Sequence, residues 1–344
     1  MKTIRHIFAW AMLAPALVFA ESRIQLPNWD ARFAEETARV PASQSRIDEL
    51  FALLQAGDTT ALYSRLDETV AGRSLTEPSR DYVLFRFAVG LADYPEADQQ
   101  LLERLRAIAP RVLVPHPERE SVGVPLFNIA GAAEGVRQLR LRRQAQSEAE
   151  RSLGAPGEQW INAYMLASRS QRMGFGDALA SADDETLSDI LHAAVQGLER
   201  APELTPIAGK SALLLGDASA LQAVVRSGDD RELASVLGTA AETLTPAAAL
   251  ALLQSAIAEA PPANAALAIA RLYPALANNA LANELLLGLL GNTELGASAA
   301  MALAAGGPEV RAELQHIAQA GTGPASARAR TALALESGHG GQNR

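Results

Sequence analysis

Between Asp230 and Leu335 the chain repeats itself, and that repetition limits the fold more than any other feature of its 344 residues. The segment Ala300-Met301-Ala302-Leu303-Ala304, moved forward by thirty positions, falls on Arg330-Thr331-Ala332-Leu333-Ala334; moved back by thirty-four it meets Ala266-Leu267-Ala268-Ile269-Ala270. Apolar residues inside the stretch recur at helical spacing: Leu281, Leu285 and Leu289; Val310, Leu314 and Ile317; Ala266, Ile269, Ala270 and Tyr273. Breakers separate the segments at Thr245-Pro246, Pro261-Pro262, Gly291-Asn292, Gly306-Gly307-Pro308 and Gly321 to Pro324, with Pro at helix starts and Gly beyond helix ends. Helices of about three turns are too short to be stable alone in water. Each must bury its stripe on a neighbour, where a Leu contributes roughly 1.5–3 kcal/mol.

A turn followed by Pro308-Glu309-Val310-Arg311, and then Ala329-Arg330-Thr331-Ala332-Leu333, resembles the short, Ala-rich form of HEAT-type helical repeats over the C-terminal third to half of the chain. The resemblance implies an all-α fold, an α-solenoid of antiparallel helix pairs. Such a stack offers a long helical surface to a protein or peptide partner and brings no catalytic machinery of its own. An irregular Ala-rich bundle would have the same composition, and it too is all-α.

The first twenty residues address the chain to export. Lys2 and Arg5 precede an uninterrupted apolar run from Ile7 to Ala20, with the small residues Val18 and Ala20 ahead of Glu21. This is the pattern of a secretory signal cleaved after Ala20, and the run is shorter than the roughly 18–20 residues that span a bilayer. No later segment replaces it as a membrane span. The chain has no cysteine, which removes disulfides, thiolate metal sites, cysteine nucleophiles and a lipidated cysteine. An exported chain without disulfides suits a bacterial periplasm, and secretion is the other destination. The net charge of −9 becomes −11 once Lys2 and Arg5 leave with the signal, so neither nucleic acid nor anionic lipid is an expected partner.

From Glu21 to residue 111 the pattern is of paired helices. One pair carries Ile47, Leu50, Phe51 and Leu54, then Leu62, Leu66 and Val70; the next carries Tyr82, Phe85, Ala88 and Leu91, then Leu101, Leu102, Leu105 and Ile108. Residues 112–157 break the pattern. Val112 to Pro115 is extended in character, and Gly123 and Pro125 argue against a helix. Beyond them Leu139 and Leu141 alternate with Arg140 and Arg142 as in a strand, although Ile129, Ala132, Val136 and Leu139 also fit one side of a long helix. A small irregular or β-hairpin insertion is expected there, the HEAT-like solenoid over 158–336, and a disordered Gly-rich tail from 337 to 344.

Chemical motifs are sparse. Gly209-Lys210-Ser211 ends like a phosphate-binding loop but has Leu204 where the first Gly is required. His116, Glu118 and Glu120 lie within five residues and could serve a cell-envelope hydrolase, or an accessory subunit of one, yet the remaining histidines are scattered. Glu120-Ser121 lacks the closely following aromatic of periplasmic lytic transglycosylases, and no Gly-x-Ser-x-Gly elbow occurs. The basic cluster Arg137, Arg140, Arg142, Arg143, with Arg151 beyond it, is set in an acidic protein. It reads as a solvated face or as a docking patch for an acidic partner or an anionic envelope polymer, since Arg forks onto carboxylate or phosphate. The expectation is a non-enzymatic periplasmic binding or scaffold protein for a protein or peptide partner in the cell envelope. No catalytic residue, cofactor or metal is assigned.

Overall fold

The computed structural model describes residues 26–95 and 97–339, so the expected signal peptide and residues 340–344 lie outside the described residues. The described chain is all-helical, with eighteen α-helices and a single two-stranded sheet. It divides into two compact units, Met1–Gln144 and Ala145–Arg344.

In the first unit, α1 (Ala31–Ala38), α2 (Pro41–Gln55), α3 (Thr59–Ala71) and α5 (Gln99–Arg106) each pack on α4 (Glu77–Gly90). Thr76 caps α4, its hydroxyl accepting from Ser79 N at 3.3 Å, and Pro78 sits in the first turn, where a missing N–H does no harm. The core is Leu50, Leu66, Val83, Leu84, Phe87, Leu91, Leu101, Leu102 and Leu105, extended by Ile129, Ala133 and Val136. The buried stripe of α4 therefore runs through Val83, Leu84, Phe87 and Ala88. Tyr82 and Phe85 are only half-buried and meet Phe127 at its edge.

After α5 comes the sheet. β1 (Leu113–His116) pairs antiparallel with β2 (Arg119–Pro125), with Leu113 opposite Pro125 and Val114 opposite Val124, and a bulge between Pro115 and His116. On its other edge Leu113 receives Asn28: the Asn28 and Trp29 amides donate to Leu113 O at 3.0 and 3.1 Å, and Leu113 N donates to Asn28 Oδ1 at 2.8 Å.

The stretch expected to be irregular is, beyond the hairpin, one continuous 23-residue helix, α6 (Ile129–Arg151). Leu139 and Leu141 belong to it, not to a strand, and the division between Gln144 and Ala145 falls inside it. Small residues decided this outcome. Ala132, Ala133, Ala145 and Ala149 are buried along α6, and their short side chains make a weak apolar signal over a strong helical propensity.

The second unit comprises α7 (Gly157–Leu166), α8 (Arg169–Ala178), α9 (Asp184–Gly197), α10 (Thr205–Leu215), α11 (Ala218–Ser227), α12 (Asp230–Thr243), α13 (Pro246–Glu259), α14 (Pro262–Leu276), α15 (Ala280–Leu289), α16 (Gly296–Leu303), α17 (Pro308–Gln319) and α18 (Pro324–His339). Helix continues through residues 337–339, where a loose tail was expected to begin. Aspartate or asparagine side chains cap α9, α11, α12 and α15, and Thr245 caps α13. Gly216, at φ +67°, ends α10 in the left-handed conformation. Within the unit α13 packs on α14, α15 on α16 and α17 on α18; α10, α12, α14, α16 and α18 also pack each on the next. Two helices approach closely at Gly209, where a Cβ would overlap the Val236 side chain.

Candidate interaction surface

The basic cluster on α6 is largely spent inside the first unit. A 3₁₀ turn (Leu91–Asp93) continues α4, and the carbonyls of this end and of the loop beyond it point at α6. Arg140 donates from Nη1 to Ala97 O at 2.7 Å and from Nη2 to Tyr94 O at 2.9 Å and Leu91 O at 3.3 Å. One turn on, Arg143 Nη1 donates to Ala92 O at 3.0 Å. These guanidinium groups satisfy carbonyls that a helix end leaves open, at the end where positive charge is favoured. Burial pulls the Arg140 guanidinium below the usual arginine range.

Arg137 forks onto Glu134 at 3.0 and 2.6 Å, and Arg106 reaches the same carboxylate at 2.9 Å. Burial alone would raise the Glu134 carboxyl, but hydrogen bonds from Arg137 and Gln138 and the charges of Arg137 and Arg106 hold it below its ordinary value. Arg142 is half-buried and engaged within the chain. Arg151, exposed, donates to Ser147 O at 3.1 Å. The four arginines are thus gathered on one helix, with Arg137, Arg140 and Arg143 tied to named acceptors and Arg142 engaged within the chain.

His116 and Glu118 flank the hairpin turn, where Glu118 N donates to His116 Nδ1 at 3.1 Å; Glu118 and Glu120 are exposed. The turn uses the imidazole as a backbone acceptor. Of the other histidines, His192 lies beside Gln196 at 2.7 Å and His316 is exposed on α17. Lys210 and Ser211 lie within α10, with no preceding strand to shape a phosphate loop.

The charged pair that sequence reasoning missed is Arg80–Asp81, adjacent on α4 and almost wholly buried. Arg80 donates to Asp81, to Val70 O at 2.9 Å and to Ala109 O at 3.3 Å; Asp81 Oδ2 accepts from Arg111 N at 2.7 Å and Val112 N at 2.9 Å. The end of α3, the loop before β1 and the start of the hairpin are thereby joined to α4. The available signal was position: Arg80 precedes Leu84 by one turn, on the buried stripe.

In the second unit, polar side chains serve the backbone too. Thr205 Oγ1 accepts from Asp229 N at 2.9 Å, Asn264 donates to Val225 O at 2.9 Å and Gly228 O at 3.2 Å, and Arg328 donates to Leu290 O at 2.8 Å and to Asn292 O. The Tyr164 phenol, pushed up to about 12 by burial, donates to Glu203 O at 2.9 Å. What α14, α16 and α18 leave exposed is small and mostly uncharged: Ala270 and Pro274 on α14, Ala297 and Met301 on α16 with Ala305 just beyond, and Ala327, Thr331 and Leu335 on α18. The helices paired with them expose carboxylates: Glu259, Glu284, Glu309 and Glu313. Compared with protein-family models, curated proteins and solved structures, the chain matches none.

Proposed function

We propose that the second unit is a HEAT-like stack of helix pairs, and that the protein is an exported, non-catalytic binding or scaffold protein holding a protein or peptide partner in the bacterial envelope. One observation carries the reading. The buried set Leu233, Val236, Leu237, Ala240 of α12 recurs 32 positions on as Ala265, Ala268, Ile269, Leu272 of α14, and 31 further on as Gly296, Ala299, Ala300, Leu303 of α16. Ser326, Ala329 and Leu333 of α18 continue it 30 beyond, with Leu333 partly buried and the exposed Arg330 at the remaining place. The same burial at a near-constant step is what stacked repeats require. The polar ties agree: Asn264 and Arg328, 64 residues apart, hold carbonyl pairs 65 and 64 residues apart.

The test is capture from a periplasmic extract on the immobilised full chain, with a peptidoglycan-hydrolysis assay beside it. A specifically retained partner and no hydrolysis are expected. Hydrolysis that is lost in Glu118→Gln/Glu120→Gln would replace this reading with an enzymatic one. Residue Glu21 at the N-terminus of the periplasmic protein is the expected sign of export.

A further inference from the structure

The row of even-numbered helices offers more than generic surface. We propose that the exposed face of α14, α16 and α18 is the docking trough, and that its partner is an amphipathic helix with an apolar side flanked by carboxylates. This rests on the stacked-repeat reading given above. Carrying that 31- and 30-residue step to the exposed positions aligns Ala270, Met301 and Thr331 in one row and Pro274, Ala305 and Leu335 in a second, with Ala297 and Ala327 in a third. Met301 is 67% exposed and Leu335 39%. Two large apolar side chains, Met301 on α16 and Leu335 on α18, are left open among small neighbours in rows that cross three helices.

The face also belongs to the row whose helices pack on one another. Helices α12, α14, α16 and α18 pack each on the next, whereas α13, α15 and α17 make no comparable contact with one another among the described residues. A stack that bends towards its tighter row would make the exposed side of these helices concave, a shape that receives a helix.

Charge selects the occupant. The unit from Ala145 carries 21 Asp and Glu against 12 Lys and Arg, yet α14 and α16 contain no carboxylate and α18 none before Glu336. Among the residues whose exposure is described, the exposed charges along these three helices are Arg271 and Arg330, the latter donating from Nη1 to Ala318 O at 3.0 Å. A carboxylate-flanked helix finds cations beside an apolar floor, and the acidic outer row turns it away from the wrong side. A Lys-flanked helix meets the reverse pattern.

Two labelled peptides test this on the full chain by fluorescence anisotropy: a Leu/Ala amphipathic helix flanked by Glu, and its twin with Lys at every Glu. The Glu peptide should bind saturably and the Lys twin about tenfold more weakly or worse. Ala270→Glu or Met301→Glu should weaken the Glu peptide by about tenfold, Ala312→Glu on the outer row should not, and Arg271→Glu/Arg330→Glu should reverse the preference. All five positions are exposed, and unchanged helical circular dichroism certifies the fold. Absence of binding by both peptides, equal binding of the twin, or equal damage from Ala312→Glu overturns the proposal. A chain that still captures a partner from extract while ignoring both peptides sinks this inference alone; a chain that does neither sinks the proposed function as well.

Discussion

Asp81 shows how much one residue can carry. Replaced by Ala, it leaves the Arg80 guanidinium buried with two carbonyl partners and no counter-charge, and it frees the amides of Arg111 and Val112. Breaking a buried pair from one side costs about 3–5 kcal/mol, so Asp81→Ala should lower the urea midpoint strongly at an unchanged slope. The leucines of α15 offer a sharper contrast. Leu281, Leu285 and Leu289 recur every four residues and read as the buried stripe, but Leu281 is 60% exposed, and the residues that go inside are Ala282, Leu286 and Leu290. Leu286→Ala should cost about 2–5 kcal/mol and Leu281→Ser less than about 0.5, both by chemical denaturation. In a helix with leucine on most sides, spacing finds the period but not the phase. Which face turns inward is set by the neighbours, which no local pattern contains.

At the scale of elements, helices and breakers were legible, because Pro, Gly and the Asp, Asn and Thr caps act locally. The hairpin was foreshadowed by Val112 to Pro115 and by Gly123 and Pro125. The length of α6 was not, since its alternating Leu and Arg fit two periods at once. Nor was the purpose of its arginines, whose acceptors are carbonyls more than forty residues away. Arg140→Ala should remove about 1.5–3 kcal/mol and speed amide exchange around Tyr94, whereas exposed Arg151→Ala should stay within about 0.5. Glu134 adds a pH dependence with a definite sign. Its folded pKa lies below the unfolded one, so its contribution is complete above the unfolded value and is lost as pH falls through the folded value. Stability measured down an acid series should therefore fall less steeply for Glu134→Gln than for the wild type.

For the whole molecule, the two arrangements compatible with an Ala-rich sequence differ in how they respond to shortening. In a stack, each helix pair leans mainly on its neighbours. A chain ending after Ala305 loses α17 and α18 and should keep its helical content per residue, with a lower melting temperature and a transition still cooperative. A single interlocked bundle would lose its cooperative transition with the same deletion. Thermal circular dichroism of the two lengths separates these outcomes.

The ties at Asn28 carry a mechanical consequence. Its amide and side chain grip Leu113 and Arg111, the side-chain amide reaching Arg111 O at 2.9 Å, ahead of α1. Tension applied through an N-terminal handle therefore reaches the hairpin before it reaches α1. Those few bonds act as a strain relief, shielding the helices behind them until the leash itself gives way.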